Sequence, residues 1–311
     1  MNQSLAFLFP GQGSQSKGML ADFLANEAVV QTTFEEASDV LAYDMQALVL
    51  QDEQQQLDQT QYTQAALLTA SIAMFRAWKE RGGDMPAHMA GHSLGEYSAL
   101  VAADVIDFSD AVQLVSFRGQ AMISAVPQGI GKMAAIIGLD DQTLVDLCAD
   151  VSSDDQKVWA ANFNCPGQLV IAGHALAVEK LMLAAKEAGA KRALPLAVSA
   201  PSHTPLMQPA ADAIQDKLSQ LTLHRPNCHV WSNARACSLS DVADIESALV
   251  EQLVSPVRWT ESIQAMSKLG VTSAVEMGAG KVLSGLVRRI DKTLSVAVVS
   301  TPEMMDKAVK A

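Results

Sequence analysis

A Gly-x-Ser-x-Gly pentapeptide at Gly91–Gly95 constrains the fold of this chain more than any other feature. A short apolar run, His88–Ala90, precedes it, and a good helix former, Glu96–Val101, follows it. This order is typical of a nucleophile elbow, in which a strand, a sharp turn carrying the serine and a helix follow one another. The two glycines lack a Cβ, so the helix can cross close to the strand while the serine is strained and exposed. We therefore predict Ser93 as a nucleophile, the alternative being a plain turn whose serine caps a helix.

The overall composition indicates an acidic globular protein. Of its 311 residues, 49% are hydrophobic, which is enough for one large core or two unequal domains. The net charge of −12 argues against a nucleic-acid partner or an anionic membrane surface. The N-terminal residues Met1–Leu5 lack the basic region of a signal peptide, and no apolar stretch is long enough to span a bilayer. The four cysteines show no C-x-x-C spacing, so we expect no metal site or disulfide framework, but a reduced cytoplasmic protein.

Strands and helices alternate along most of the chain, which predicts a parallel sheet covered by helices on both faces. The first strand is expected at Leu5–Phe9. The glycine-rich loop after it, Gly11–Gln15, lacks the third glycine of a dinucleotide fingerprint, so we reject a nucleotide site there. Further on, a strand is expected over 191–198 and one helix over 204–221.

The pattern from 131 to 198 differs from the rest, because it follows the strand-helix-strand-strand-helix-strand order of ferredoxin-like domains. We expect an α/β fold in which this segment is a small domain inserted into a larger one. The expected boundaries are an α/β-hydrolase-like large domain from 1–128 and 199–311 and a ferredoxin-like small domain from 129–198.

The helix expected from about 109 to 126 carries a charge on its apolar side. Ala111, Val115 and Met122 recur at helical spacing, and Arg118 falls on the same stripe. A buried guanidinium is costly unless an acid meets it. Two explanations stay open: a structural ion pair with one of the 34 carboxylates, or a pocket cation that binds an acidic substrate.

A serine nucleophile needs a base, and histidine is the side chain with a suitable pKa. Among the six histidines, His203 lies in Ser199–Pro205, a stiff loop with two prolines at the start of a helix. It also follows the serine in the chain, as the base does in α/β-hydrolase-type proteins. We predict His203 as the base, while spacing alone identifies no third member that orients its ring.

With these residues identified, the chain resembles the malonyl-CoA:acyl-carrier-protein transacylase family of bacterial type II fatty acid synthesis along its whole length. The shared signatures lie in loops, at the elbow and near the predicted base. They are Phe9–Gln15, Gly91–Leu100, Arg118-Gly119, Asn162–Asn164 with Pro166–Gln168, Pro201–His203, and Gly278 with Gly280–Leu283.

The resemblance implies a role for each matching residue. Ser93 takes the malonyl group, His203 is its base, and Arg118 binds the malonyl carboxylate. Backbone N–H groups of Gln12 and Leu94 form the oxyanion hole; in Leu94 this agrees with its position at a helix N-terminus. The remaining substrate-binding residues are Met122, Asn162, Ser202 and Gln252. Of these, Ser202 helps to set the size of the acyl pocket, and Gln252 helps to place the histidine.

The same resemblance implies malonyl-CoA and acyl carrier protein as partners, with no metal or other cofactor. We also expect the protein to be a monomer. Carrier proteins are acidic, so docking requires a local basic patch, for which the candidates are Lys191, Arg192, Lys281, Arg288 and Arg289. Two other functions stay open at this point. One is a serine esterase or thioesterase, and the other is a non-catalytic carrier-binding subunit.

Overall fold

The computed structural model describes residues 1–198 and 200–311, which form two sheets of different size. The strands are β1 (Asn2–Phe9), β2 (Pro86–Gly91), β3 (Gly131–Ile137), β4 (Val158–Cys165), β5 (Gln168–His174), β6 (Arg192–Pro195), β7 (His229–Trp231), β8 (Ser238–Leu239), β9 (Ser273–Glu276) and β10 (Ser295–Val298). The helices are α1 (Ala21–Asn26), α2 (Ala28–Leu41), α3 (Met45–Leu50), α4 (Thr60–Glu80), α5 (Gly95–Ala102), α6 (Phe108–Ser124), α7 (Asp141–Val151), α8 (Ala175–Glu187), α9 (Gln208–Leu218), α10 (Val242–Val254), α11 (Trp259–Lys268), α12 (Val282–Ile290) and α13 (Pro302–Val309).

The larger sheet has six strands in the order β10-β9-β1-β2-β7-β8. The first five run parallel, as the alternating sequence pattern predicts, and β8 pairs antiparallel with β7 at the edge. Within β1, Phe7 and Phe9 pack into one apolar cluster, whereas Ala6 and Leu8 pack into another on the opposite face. Side chains alternate across a strand, so this distribution shows that both faces of the sheet are covered.

The smaller sheet has four antiparallel strands in the order β4-β5-β3-β6. Its chain order, β3-α7-β4-β5-α8-β6, is the one that the sequence predicts. One face packs under α7 and α8 around Leu144, Leu181 and their neighbours. Strand β4 is tied to the rest of the chain by backbone hydrogen bonds between Ala161, Phe163 and Val257.

Two of the predicted elements are shorter in the structure. The strand expected over 191–198 pairs in register with β3 as far as Pro195, and one further backbone hydrogen bond runs from Leu196 N to the carbonyl oxygen of Met133. The helix expected over 204–221 is a short 3-10 turn at Pro205–Met207 followed by α9, which carries a proline in its first turn. Ser199, where the sequence begins the histidine loop, lies outside the described residues.

The short helices α1 and α3, six residues each, were not expected from the apolar pattern. Both precede α4, a 21-residue helix that is buried along most of its length and packs against α6. This packing brings the α4 and α6 side chains beside the elbow together. In the part of the chain that the structure describes, no helix combines the length and the apolar character that a membrane crossing requires.

Candidate active site

Ser93 lies in a sharp turn between β2 and α5, as predicted, with a φ of 52°. This left-handed conformation is strained for a residue with a side chain and lifts the hydroxyl out of the turn. The flanking glycines make the turn possible. A Cβ on Gly91 would lie 1.8 Å from the carbonyl carbon of Gly95, and one on Gly95 would lie 2.0 Å from the carbonyl oxygen of Phe9. The strand and the helix therefore cross in direct backbone contact.

The predicted base is in hydrogen-bond contact with this serine. His203 Nε2 lies 2.8 Å from Ser93 Oγ, and His203 Nδ1 lies 2.8 Å from the backbone carbonyl oxygen of Gln252. A carbonyl only accepts hydrogen bonds, so Nδ1 carries the proton and Nε2 is free to accept the serine proton. Here the group that orients the imidazole is a backbone carbonyl, which no side-chain pattern in the sequence identifies.

The histidine is buried, with 4% of its surface exposed. Burial, and then the positive charge of Arg118, lower the pKa of His203 to about 3. The ring is thus neutral at physiological pH, which is the form that a general base requires. His203 itself has a φ of 62°, so both members of the pair are held in strained backbone.

Arg118 reaches the same point from α6 and is 1% exposed. Its Nη1 donates to Gln64 Oε1 at 2.8 Å and its Nη2 to Gln252 Oε1 at 2.9 Å. Nη2 also lies 3.5 Å from Ser93 Oγ. Among the described residues no carboxylate lies within 4.0 Å of the guanidinium, so the structural ion pair considered above is not formed there. Two neutral amides hold the cation instead, and its Cζ lies 5.3 Å from the centre of the Tyr97 ring.

A cavity of about 460 Å³ opens over Ser93 and His203. Part of its wall comes from the smaller sheet, through Met133 and Val170. The predicted residues that line it are Gln12, Ser93, Leu94, Arg118, Met122, Asn162, Ser202 and His203. Gln252, also predicted, is completely buried and lies behind Arg118.

The loop after β1 lies directly against the elbow. A Cβ on Gly11 would lie 2.3 Å from the carbonyl oxygen of His92, so only glycine permits this approach. The loop thereby brings Gln12 to the same cavity wall as Leu94, which precedes α5. Within the described residues, neither backbone N–H donates a hydrogen bond to the protein.

The sequence did not identify several polar residues around the elbow. Asn233 Oδ1 accepts from Ser93 N at 2.6 Å, and its Nδ2 donates to the carbonyl of Gly91 at 2.6 Å. Asn233 follows β7, the parallel neighbour of β2, and adjacent parallel strands end at the same edge of a sheet. That position is the one signal that could have identified it. Two further contacts have no such signal in the sequence. They are the hydrogen bond from Arg118 to Gln64 and the 2.7 Å contact between His92 Nε2 and Asn164 Oδ1.

Glu96, in the first turn of α5, is the other unpredicted group. It is 2% exposed, and burial raises the pKa of its carboxyl to about 7. Hydrogen bonds from Gln252 and Asn233 and the charge of Arg118 oppose that rise.

Within residues 1–198 and 200–311, no group of three or more His, Cys, Asp or Glu residues is arranged to hold a metal ion.

Comparisons with known proteins find similar chains along nearly the whole length of this one. Residues 6–304 match the family model described as the acyl transferase domain. Malonyl CoA-acyl carrier protein transacylase of Escherichia coli K12 is 52% identical over 305 residues, covering 98% of both chains. The structure of the transacylase from Coxiella burnetii superposes with a TM-score of 0.97 at 45% identity, covering 100% of this chain and 98% of the other.

A second solved structure contains a type II PKS acyl-carrier protein in complex with its malonyl-transacylase. It superposes with a TM-score of 0.96 at 50% identity and covers 99% of both chains. The fold shared with these structures is a mixed α/β one with a largely parallel sheet and a separate antiparallel sheet.

Proposed function

The chain belongs to the acyl transferase family, and we propose that it moves a malonyl group from malonyl-CoA to the phosphopantetheine thiol of an acyl carrier protein, in fatty acid biosynthesis. The acyl group travels as a malonyl ester of Ser93. One observation carries the proposal. The 2.8 Å contact between Ser93 Oγ and His203 Nε2 lies beside a buried arginine that has no acidic partner among the described residues.

In the first half-reaction Ser93 Oγ attacks the thioester carbonyl while His203 Nε2 takes the serine proton. The carbonyl of Gln252 holds Nδ1–H and stabilises the imidazolium that forms. The tetrahedral intermediate then collapses, the C–S bond breaks, and the histidine returns the proton to the CoA sulfur. The second half-reaction reverses these steps, with the carrier thiol attacking the serine ester. Neither half-reaction requires a metal or a redox cofactor.

The backbone N–H groups of Gln12 and Leu94 hold the oxyanion of each tetrahedral intermediate. Both residues line the cavity, and Leu94 lies at the start of α5, where N–H groups lack intrahelical partners. Loss of one such donor typically costs about 10²–10³ in rate.

Arg118 binds the malonyl carboxylate, for which the planar guanidinium is well suited. Met122, Asn162 and Ser202 line the space for the acyl group. Gln252 positions two of these residues, since its side-chain oxygen accepts a hydrogen bond from Arg118 and its backbone carbonyl accepts one from His203.

We also propose that the chain consists of two domains. The larger sheet with its elbow is built as in α/β-hydrolases, from 1–128 and 199–311. The segment 129–198 is a ferredoxin-like domain, which the strand order β4-β5-β3-β6 supports. The protein acts as a monomer, and its role in fatty acid synthesis implies the cytoplasm.

Mass spectrometry of the intact protein after mixing with malonyl-CoA tests the central step. We expect a mass increase of one malonyl group, located on Ser93 and absent from Ser93→Ala. Addition of holo carrier protein should remove the label and transfer it to the carrier thiol. Release of free malonate without transfer would favour the esterase alternative, and an unlabelled wild type would favour the non-catalytic one.

Helix α12 is the part of the candidate carrier patch nearest to the cavity. Val282, Leu283 and Leu286 line the cavity, and Arg289 of the same helix contacts Gln168, which also lines it. We propose that Lys281, Arg288 and Arg289 receive the acidic carrier protein. The double change Arg288→Glu with Arg289→Glu should raise KM for the carrier several-fold and leave the rate of Ser93 acylation unchanged.

A further inference from the structure

Glu96 is a buried carboxyl group three residues after the nucleophile, and the transfer reaction as described above does not use it. Its two hydrogen bonds both go to Oε2. The backbone N–H of Asn233 donates at 3.1 Å and Gln252 Nε2 donates at 2.7 Å. No lysine, arginine or histidine forms an ion pair with it in the described part of the chain. Burying a carboxyl group without an ion-pair partner costs free energy of folding. The hydrogen bonds of Glu96 therefore indicate the function that this cost serves.

The contact with Gln252 decides how that amide is turned. Gln252 Nε2 also donates to the backbone carbonyl of Ser93 at 3.0 Å, so both of its protons face acceptor oxygens. Its oxygen must then point the other way, where it accepts from Arg118 Nη2 at 2.9 Å. Turned around, the amide would place an N–H against the guanidinium. Without Glu96, one amide proton would lose its partner in a completely buried site.

Through its contact with Asn233, Glu96 also helps to fix the conformation of the elbow. Asn233 holds the turn by accepting from Ser93 N and donating to the carbonyl of Gly91. Its own backbone N–H is held by Glu96. A strained serine keeps its conformation only when its surroundings fix it, and Glu96 is bonded to both residues that do so.

We propose that Glu96 is a positioning residue for malonyl transfer, which holds Arg118 through the Gln252 side chain and the nucleophile through Asn233. This inference rests on the proposed function, because the ligand of Arg118 is the malonyl carboxylate. Its hold on Arg118 through Gln252 matters only for acyl groups that carry a carboxylate, whereas its contacts toward Ser93 serve every acyl group. Loss of Glu96 should therefore impair malonyl transfer more than acetyl transfer.

The test compares Glu96→Met with Glu96→Gln, since the two side chains are similar in length and only glutamine keeps an acceptor oxygen. Formation of the Ser93 ester is followed with malonyl-CoA and with acetyl-CoA, per active site. For Glu96→Met we expect kcat/KM for malonyl to fall about ten- to a hundredfold, and the malonyl-to-acetyl ratio to fall at least about fivefold. Glu96→Gln should keep both values within about threefold of wild type, because its oxygen accepts the same two bonds.

Glu251→Met is the matched control. It removes the neighbouring carboxylate, which is bound to the partly exposed Arg235, and should leave the ratio unchanged. Equal losses for the two acyl donors in Glu96→Met, or no loss, would overturn the proposal. If that variant is insoluble, Glu96→Asp, which withdraws the acceptor by one methylene, must lower the ratio or the proposal fails. Failure of the proposed function is seen separately in the wild type, which then either forms no malonyl ester or releases malonate from it without transfer to the carrier.

Discussion

Charged groups lie in two very different settings in this protein. Beneath the elbow is a buried polar network, which we define as Gln64, Glu96, Arg118, Asn233 and Gln252. On the surface are ion pairs such as Arg235 with Glu251, 2.7 Å apart, and Lys132 with Glu179, 2.6 Å apart. Both surface contacts are shorter than the two hydrogen bonds that Arg118 donates to the neutral amides of Gln64 and Gln252, and the buried guanidinium also lies over the Tyr97 ring. Gln252 in turn donates to Glu96.

Contact distance is therefore a poor guide to what such groups contribute. Exposed pairs are screened by water and salt and contribute about 0–1 kcal/mol each. A buried guanidinium without an ion-pair partner is a costly arrangement for stability. In the function we propose, the malonyl carboxylate supplies that partner, whereas the surface pairs are already matched.

The largest effect should come from crowding the turn above the buried network. In Gly91→Ala the new Cβ would meet the backbone of Gly95 at 1.8 Å, which no side-chain movement relieves. We expect a loss of about 3 kcal/mol or more in the free energy of unfolding, measured by urea denaturation. Gly285→Ala on exposed α12 is the control. It meets no atom within 4 Å and should gain about 0.5–1 kcal/mol through helix propensity. Equal responses would mean that the elbow tolerates a Cβ.

Arg118→Ala should show the difference between a buried and a surface arginine in enzyme activity. We expect kcat/KM for malonyl-CoA to fall about 10²–10³-fold, equivalent to about 3–4 kcal/mol, because the carboxylate loses a charged partner in a buried site. Acetyl-CoA, which lacks that carboxylate, should lose less than about tenfold. The control is the partly exposed Arg258→Ala, which removes a surface ion pair with Glu261 and should change neither. Equal losses on both donors would show that Arg118 is structural.

Acid should weaken the protein through its buried histidines. Burial lowers the pKa of His88, His92 and His203, the last to about 3. The unfolded chain, with histidine pKa values near about 6.5, then binds more protons at acid pH, so the free energy of unfolding falls as the pH drops below about 6.5. Each group contributes up to about 1.4 kcal/mol per pH unit. Glu96 acts in the opposite sense, because its folded pKa of about 7 lies above the ordinary value of 4.5.

Urea unfolding of wild type and His203→Asn between pH 7.5 and 5 isolates the contribution of one histidine from that of Glu96. Asparagine tolerates the positive φ at this position, so the variant should fold. Its stability should depend less steeply on acid pH than that of the wild type. Parallel curves would mean that protonation of His203 is not linked to unfolding.

The smallest effect is expected at the surface. A double-mutant cycle on Lys132 and Glu179 should give a coupling free energy of about 0.2–1 kcal/mol, because both side chains are substantially exposed. That value should decrease further in about 0.5 M salt, where the Debye length is short. A coupling above about 2 kcal/mol that salt does not change would mean that the surface pairs do not differ from the buried polar network in this respect.

Local patterns in the sequence were sufficient to predict the elbow, the contact between His203 and Ser93 and the order of the strands and helices apart from short elements such as α1 and α3. Each of these depends on residues close together in the chain, such as the two glycines around Ser93 or the prolines around His203. The resemblance to a family added Arg118 as the carboxylate site and Gln12 as an oxyanion donor. Boundaries near Pro195 and Pro209 were less predictable, because they depend on where the backbone still finds a hydrogen-bond partner.

The sequence by itself was enough to propose Ser93, His203 and Arg118 for acyl transfer, since a strained serine turn, a histidine between prolines and an arginine on an apolar stripe are local features. Only the tertiary structure decided how they are held. The carbonyl of Gln252 behind the imidazole, the amide of Asn233 on the turn and the carboxyl of Glu96 that joins them lie far apart in the chain. The physical reason is that buried polar groups must find partners wherever folding brings them, and those partners follow from packing rather than from sequence neighbours.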